Sequence, residues 1–428
     1  MSQVWSRRTI LRLLTGAAAT GSAAALSAAC SPLVPTALPT TAPAAQPTLA
    51  PTPVGSSTLK IGVLLPYTES SIGVDIGLNQ KRAADLYLKQ HSGILGGRQV
   101  NLAYSAESIE AAINKTKVRT LTDTEHVELL IGGAGPDTAQ VMRDAAEALK
   151  LVYIDTNATT NALSHSKYVF RTSGSTWQLG EPLGDWASSN GAGEFFVCFV
   201  DDTFGTESAD AFVAGLARNG GHATQRIGVR TGGDWRKLVS VINSQPARNV
   251  FAALHTDDAE GFFSEWHHQG AADAGYKLYG PGVLTDEEVL HQVKSAASGA
   301  VTSLFWSPDL DTAENKALVD AFPAAYIDDD SGEPVSLNGY AVQMWDALAA
   351  LDVALEQTGG HVSDTDALIA ALEAVSFKSP RGTFAFDLTT HNPVQDIYLR
   401  QVVNSAANKP VNSVLAKIPS MAVSFSPG

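Results

Sequence analysis

The sequence predicts an α/β fold of two compact domains with parallel sheets, on three observations. Short apolar or β-branched runs alternate with amphipathic segments from Leu59 onward, which argues for parallel strands linked by right-handed helical crossovers. Most of those runs are apolar throughout instead of alternating, as strands covered on both faces require. The chain has 428 residues, enough for two domains at about 100–200 residues each.

Composition agrees and excludes some functions. With 44% apolar and 17% charged residues the chain packs a core instead of staying disordered. The net charge is −15, and no basic run follows the leader. Nucleic acid is therefore excluded as a partner, because phosphate-backbone binding needs clustered Lys and Arg. Two cysteines, Cys30 and Cys198, give no disulfide framework; Cys198, within an apolar run, reads as a buried inert thiol.

Residues 1–29 read as an export signal. Ser6, Arg7, Arg8, Thr9, Ile10, Leu11 and Arg12 form a twin-arginine motif ahead of an Ala/Gly/Thr/Leu stretch that ends at Leu26, Ser27, Ala28, Ala29 and Cys30. That stretch is diluted by Thr, Ser and Gly, too weakly apolar for a permanent membrane helix. Small residues before Cys30 suit lipoprotein processing, so Cys30 is expected to become a lipidated N-terminus. Residues 30–57 hold seven prolines and no charge. They form a semi-rigid tether of about 3.1 Å per residue where extended, holding the folded part clear of a membrane.

The strand-like runs are 59–65, 99–105, 127–131, 151–154, 195–200, 249–254 and 301–306. A helix is expected over 77–90. Core-facing spacing marks others at Val141, Ala145 and Leu149; at Phe212, Val213 and Leu216; at Phe262, Phe263 and Trp266; and from Ala341 to Leu355. In parallel sheets ligands sit beyond the carboxyl ends of strands, where loops lead into helix N-termini. Those loops are 66–73, 132–137, 155–161, 201–205 and 255–258.

Several segments fall in a recognisable order: Leu59-Lys-Ile-Gly-Val-Leu-Leu-Pro66, Gly93-Ile-Leu-Gly-Gly-Arg98, Leu130-Ile-Gly132, Asn157-Ala-Thr159, Tyr168-Val-Phe-Arg-Thr172, Asp201-Asp-Thr-Phe-Gly205 and Gly382-Thr-Phe-Ala-Phe-Asp387. The series, over residues 58 to about 405, resembles the branched-chain amino-acid (Leu/Ile/Val-binding) type of ABC-transporter substrate-binding protein. The resemblance implies a type I periplasmic-binding fold. Two doubly wound, Rossmann-like lobes would be joined by three crossover strands near 173–177, 307–309 and 383–387, and would close over ligand. Lobe 1 would combine 58–174 with 308–383, and lobe 2 would combine 175–307 with 384–428.

Site residues follow from the same resemblance. Members that bind amino acids hold the ligand carboxylate with paired serines after the third strand, and the matching positions here are Gly135 and Pro136. Backbone N–H groups near Asp137 and Thr138 remain, with Asp137 expected to cap the helix. Asn157 and Thr159 stand where members offer an amide and a hydroxyl, although a Thr there also satisfies its own turn. The acids that grip an amino group are replaced by Thr176 and Gly282. A buried ammonium without a carboxylate is costly, which argues against a zwitterionic amino acid. Trp177, Phe204, His255, Tyr67 and Ile72 instead offer an apolar or aromatic surface, while Trp177, Phe204 and His255 equally suit packing between lobes. An uncharged or carboxylate-bearing ligand, aromatic in character, is expected between Trp177 and Thr159.

The implied function is an extracytoplasmic solute-binding protein of an ABC importer, non-enzymatic, using no cofactor. Its partners would be a small-molecule ligand, the importer's permease subunits and the membrane that holds its lipid. A ligand sensor working with a separate signalling protein is the second reading, and a hydrolase on a related scaffold the third. Other motifs carry little. Gly133-Ala-Gly135-Pro-Asp-Thr138 has Thr in place of the third glycine of a dinucleotide loop. His267 and His268 point apart on a helix. The 328–333 acidic loop lacks the bidentate Glu of a calcium loop, Gly339 standing in its place.

Overall fold

The structure, a computed structural model, describes residues 58–68, 73–328 and 332–421. The leader, Cys30, the tether, Ile72, Asp329 and Asp330 lie outside the described residues.

The first part runs β1 (Leu59–Leu65), α1 (Val74–Gln90), β2 (Ile94–Leu95), β3 (Arg98–Ala106), α2 (Ala111–Arg119), β4 (Leu129–Gly132), α3 (Pro136–Leu149), β5 (Tyr153–Asp155) and β6 (Val169–Arg171). The second runs α4 (Thr176–Ser189), β7 (Glu194–Val200), α5 (Thr203–Ala217), β8 (His222–Val229), α6 (Trp235–Asn243), β9 (Asn249–Ala253), α7 (Thr256–His268), β10 (Lys277–Pro281), α8 (Glu287–Val293) and β11 (Val301–Leu304). The chain ends with α9 (Ala313–Ala325), α10 (Gly339–Thr358), α11 (Thr365–Glu373), β12 (Ser376–Ser379), β13 (Gly382–Phe386), β14 (Pro393–Asn404) and β15 (Pro410–Met421).

Two sheets result. The first has six strands in the order β2-β3-β1-β4-β5-β6, and the second has nine, β12-β13-β14-β11-β10-β9-β7-β8 with β15 on β14. Strands β3-β1-β4-β5-β6 are parallel, and so are β11-β10-β9-β7-β8. Burial explains the continuous apolar runs. Ile61, Val63 and Leu65 enter one hydrophobic cluster and Leu64 the opposite one. In β7, Phe196, Cys198 and Val200 face one cluster while Phe195 and Val197 face another. Cys198 is fully buried, and burial pushes its thiol up to about 12.

Strand β8 and the antiparallel pair β14–β15 lie outside the strand-like runs of the sequence. Along β8 most side chains are exposed or half-buried, so an edge strand carries little apolar signal. The hairpin β12–β13 is joined to the second sheet through the pairs Ala385–Val394 and Phe386–Pro393. Residues 376–383 thus extend that sheet and not the first, where the expected lobe boundary put them. Phe384 and Phe386 nevertheless pack in the cluster shared with β1 and α10.

The chain leaves the first sheet through 172–175, returns through 305–312, and meets the second sheet again at β13–β14. Arg381 ties these three passages together. Its Nη2 donates to Thr172 O at 2.9 Å, its Nη1 to Gln395 Oε1 at 2.7 Å, and its Nε to Asp346 Oδ2 at 2.6 Å. Its guanidinium also lies 4.2 Å from the ring centroid of Phe305. Nearby, Arg171 is fully buried, with Nη1 donating to Asn392 Oδ1 at 3.2 Å and Nη2 to Ala158 O at 2.5 Å.

Beyond the first passage, Ser175 opens α4 with a reciprocal capping box to Gln178. Helices α4 and α5 then touch backbone to backbone. A Cβ on Gly215 would fall on the Glu181 carbonyl, and one on Gly184 on that of Phe212.

Candidate functional site

A cavity of about 310 Å³ opens where the two sheets' carboxyl-end loops face each other, the place that parallel α/β sheets reserve for ligands. The first lobe contributes Pro66, Glu107, Ala134, Gly135, Asn157 and Thr159, and the second contributes Asp202, Phe204, His255, Thr256 and Val283. Tyr340, at the start of α10, completes the lining and meets the Thr256 hydroxyl at 3.2 Å.

On the first wall, the cap of α3 differs from expectation. Asp137 does not cap the helix: the N-cap is Gly135, with no side-chain cap bond, and Pro136 stands first in the helix. Proline there gives up an N–H that would have no partner within the helix, and its fixed φ suits the helix start. The N–H groups just before it are satisfied from another strand. Glu107, one residue past β3, accepts from Ala134 N at 2.9 Å and Gly135 N at 3.1 Å. Burial pushes its carboxyl above the usual carboxylate range, while these donors and the Thr138 side chain pull it partly back. Asn157 Nδ2 donates to Ala134 O at 3.0 Å and knits the two loops together.

On the second wall, Asp202 caps α5 by accepting from Gly205 N at 2.9 Å and meets His255 Nε2 at 2.6 Å. Burial disfavours the imidazolium, but the Asp202 bond and charge outweigh it, and the His255 pKa is raised. Asp202 moves the opposite way: burial raises its pKa, the His255 and backbone donors lower it further, and it ends below normal. Phe204 stacks on His255 with ring centroids 5.1 Å apart and planes at 27°. The pair gives this wall an aromatic face whose imidazole edge holds a proton more readily than a free histidine.

Two further carboxylates bridge the lobes. Glu207, on α5, accepts from Asn161 N at 3.2 Å and from the Thr176 hydroxyl at 3.1 Å. Glu288, on α8, accepts from Asn79 Nδ2 of α1 at 2.5 Å and from Asn338.

Of the residues singled out from sequence, Gly135, Asn157, Thr159, Phe204 and His255 meet at this cavity. Thr176, Trp177 and Tyr67 are not among its lining residues. The Thr176 side chain turns to Glu207, and Tyr67 packs edge-on against Tyr104 with centroids 6.1 Å apart. Sequence reasoning passed over Glu107, Glu207, Glu288 and Tyr340. Glu107 had a usable signal, an acid at the carboxyl end of a parallel strand. The other three sit on helices far along the chain.

Two lobes, parallel sheets and a ligand-sized crevice between their carboxyl ends define a solute-binding protein that captures a small organic molecule. The chain belongs to the periplasmic binding protein family, whose profile matches residues 58–408. It is 27% identical over 354 residues to the Leu/Ile/Val-binding protein homolog 6 of Brucella suis biovar 1, covering 82% of this chain and 89% of that one. Among solved structures, it resembles an ABC-transporter solute-binding protein of Rhodopseudomonas palustris BisB5 in complex with 3,4-dihydroxybenzoic acid, with a TM-score of 0.78 and 26% identity over 85% of this chain and 98% of that one. An R. palustris solute-binding protein in complex with benzoate matches with a TM-score of 0.77 and 30% identity over 86% and 98% of the two chains. As a binding protein of an ABC transporter, the chain works outside the cytoplasm.

Proposed function

We propose that the cavity takes a small aromatic carboxylate, and that lobe closure over it, not any reaction, is what the permease subunits read. The stacked Phe204–His255 pair carries the ligand class, because it offers a ring face beside an imidazole whose protonated form the Asp202 bond favours. The benzoate and dihydroxybenzoate held by similar proteins support the same class. We take lobe 1 as 58–174 with 308–375 and lobe 2 as 175–307 with 376–428. In this reading Thr159 and Asn157 face the ligand from lobe 1, and Cys30 carries the lipid that holds the tether at the outer face of the cytoplasmic membrane.

Calorimetric titration with benzoate, 4-hydroxybenzoate, 3,4-dihydroxybenzoate, leucine and valine tests the ligand class. Aromatic acids are expected to bind and to be recovered unchanged. Tight leucine or valine binding with no aromatic response would overturn the reading, and a new product would overturn the absence of chemistry. Membrane fractionation of a Cys30→Ser variant tests the anchor, which predicts release.

A further inference from the structure

We infer that Glu107 is a specificity-determining residue: its carboxylate occupies the backbone N–H groups of Ala134 and Gly135, just ahead of α3, and makes that wall of the cavity reject a second anionic group on the ligand. The inference rests on the aromatic-carboxylate reading above.

Paired backbone N–H groups at a helix start ordinarily form a receptor for a ligand anion. Here they are taken from within, by Glu107 through Ala134 N and Gly135 N. Glu107 is only 8% exposed yet lines the cavity. The fit is close, since a Cβ on Gly135 would lie 3.3 Å from Glu107 Oε1. Asp137, in the first turn of the same helix, adds a second carboxylate to this wall. Lys117 lies near enough to act on Glu107, but its ammonium donates to the Ala106 carbonyl and it is not a lining residue. No lysine or arginine occurs among the described lining residues.

The two walls are therefore unlike. A like charge set against Glu107 is repelled, which is how interfaces exclude wrong partners. A monocarboxylate lies with its anion toward His255, its ring against Phe204, and its far substituent toward Glu107. That substituent must be uncharged, and a hydrogen-bond donor is favoured there over an acceptor.

Titration calorimetry compares 4-hydroxybenzoate with terephthalate, which places a second carboxylate at the far end of the same ring. Wild type should prefer the monoanion by at least about tenfold. Glu107→Ala uncovers the N–H pair and should narrow or invert that ratio. Glu107→Gln, which keeps the shape without the charge, should narrow it less. Acetate should raise the melting temperature of Glu107→Ala and leave wild type unmoved; if Glu107→Ala folds only in acetate, that is the same rescue. Equal binding of the two ligands by wild type, or a ratio unmoved in the variants that fold, overturns the inference. If no aromatic acid binds wild type, the ligand reading falls by itself and the acetate arm decides Glu107: rescue restricted to Glu107→Ala supports its role, and no acetate effect overturns it.

Discussion

The passage between the lobes and the cavity beside it both contain charged side chains, and they treat them oppositely. In the passage, Arg171, Arg381 and Arg400 are buried, and each guanidinium meets carbonyl or side-chain oxygens of several segments. In the cavity, Glu107, Asp137, Asp202 and Asp257 face one histidine and, among the described lining residues, no lysine or arginine. A buried charge surrounded by partners fixes geometry, because removing either side strands the other in a low dielectric. In the cavity the unbalanced carboxyl groups act on a guest instead, turning its anion away from the Glu107 wall and toward His255. Substitutions in the passage should therefore act on stability, and those in the cavity on binding.

The sharpest break is Arg381→Ala. It leaves the fully buried Asp346 with no cation and only the Ser379 hydroxyl, and it unties the three passages, so a loss of about 3–5 kcal/mol in denaturant unfolding is expected. An unchanged midpoint would erase the contrast. Phe204→Ala comes next, with at least about a tenfold loss of aromatic-ligand affinity in calorimetry and little change in melting temperature. Glu207→Gln keeps an acceptor for Asn161 N and should cost no more than about 1 kcal/mol in unfolding.

Glu288 stands between the two regimes, half-buried and with no cation among its described partners. Burial and the neighbouring Glu287 charge raise its pKa, while its contacts with Asn79 and Asn338 join the lobes. A carboxyl whose folded pKa is raised contributes stability that is full below its ordinary pKa and is lost as pH climbs through the raised one. Thermal unfolding from acidic to alkaline pH should show that decline in wild type and a flatter profile in Glu288→Gln. Identical profiles would remove Glu288 from the account.

The parallel strands were legible because burial on both faces writes itself as unbroken apolar runs: β1, β7 and β9 lie where 59–65, 195–200 and 249–254 were read. The ligand loops followed from strand ends. What sequence could not carry was direction and distance. Trp177 adjoins a recognisable motif, yet a helix start fixed by Ser175 sets where neighbouring side chains go, and Thr176 turns to Glu207. Glu107 reads as an ordinary acid until the loop ahead of α3, 27 residues on at Ala134, presents its N–H groups to it. Pairings between distant segments, like Asn79 with Glu288, leave no local trace at all.

The bare contact of α4 on α5 has a mechanical meaning. With Gly184 and Gly215 bringing the two backbones together, no side-chain cushion is left to slide or compress. α4 begins at the first inter-lobe passage, and α5 begins with Thr203 and Phe204 at the cavity rim. The two helices are therefore held as one piece that joins the first passage, at 172–175, to Phe204 at the cavity rim. A methyl group at either glycine would force the two helices apart and carry Phe204 away with α5.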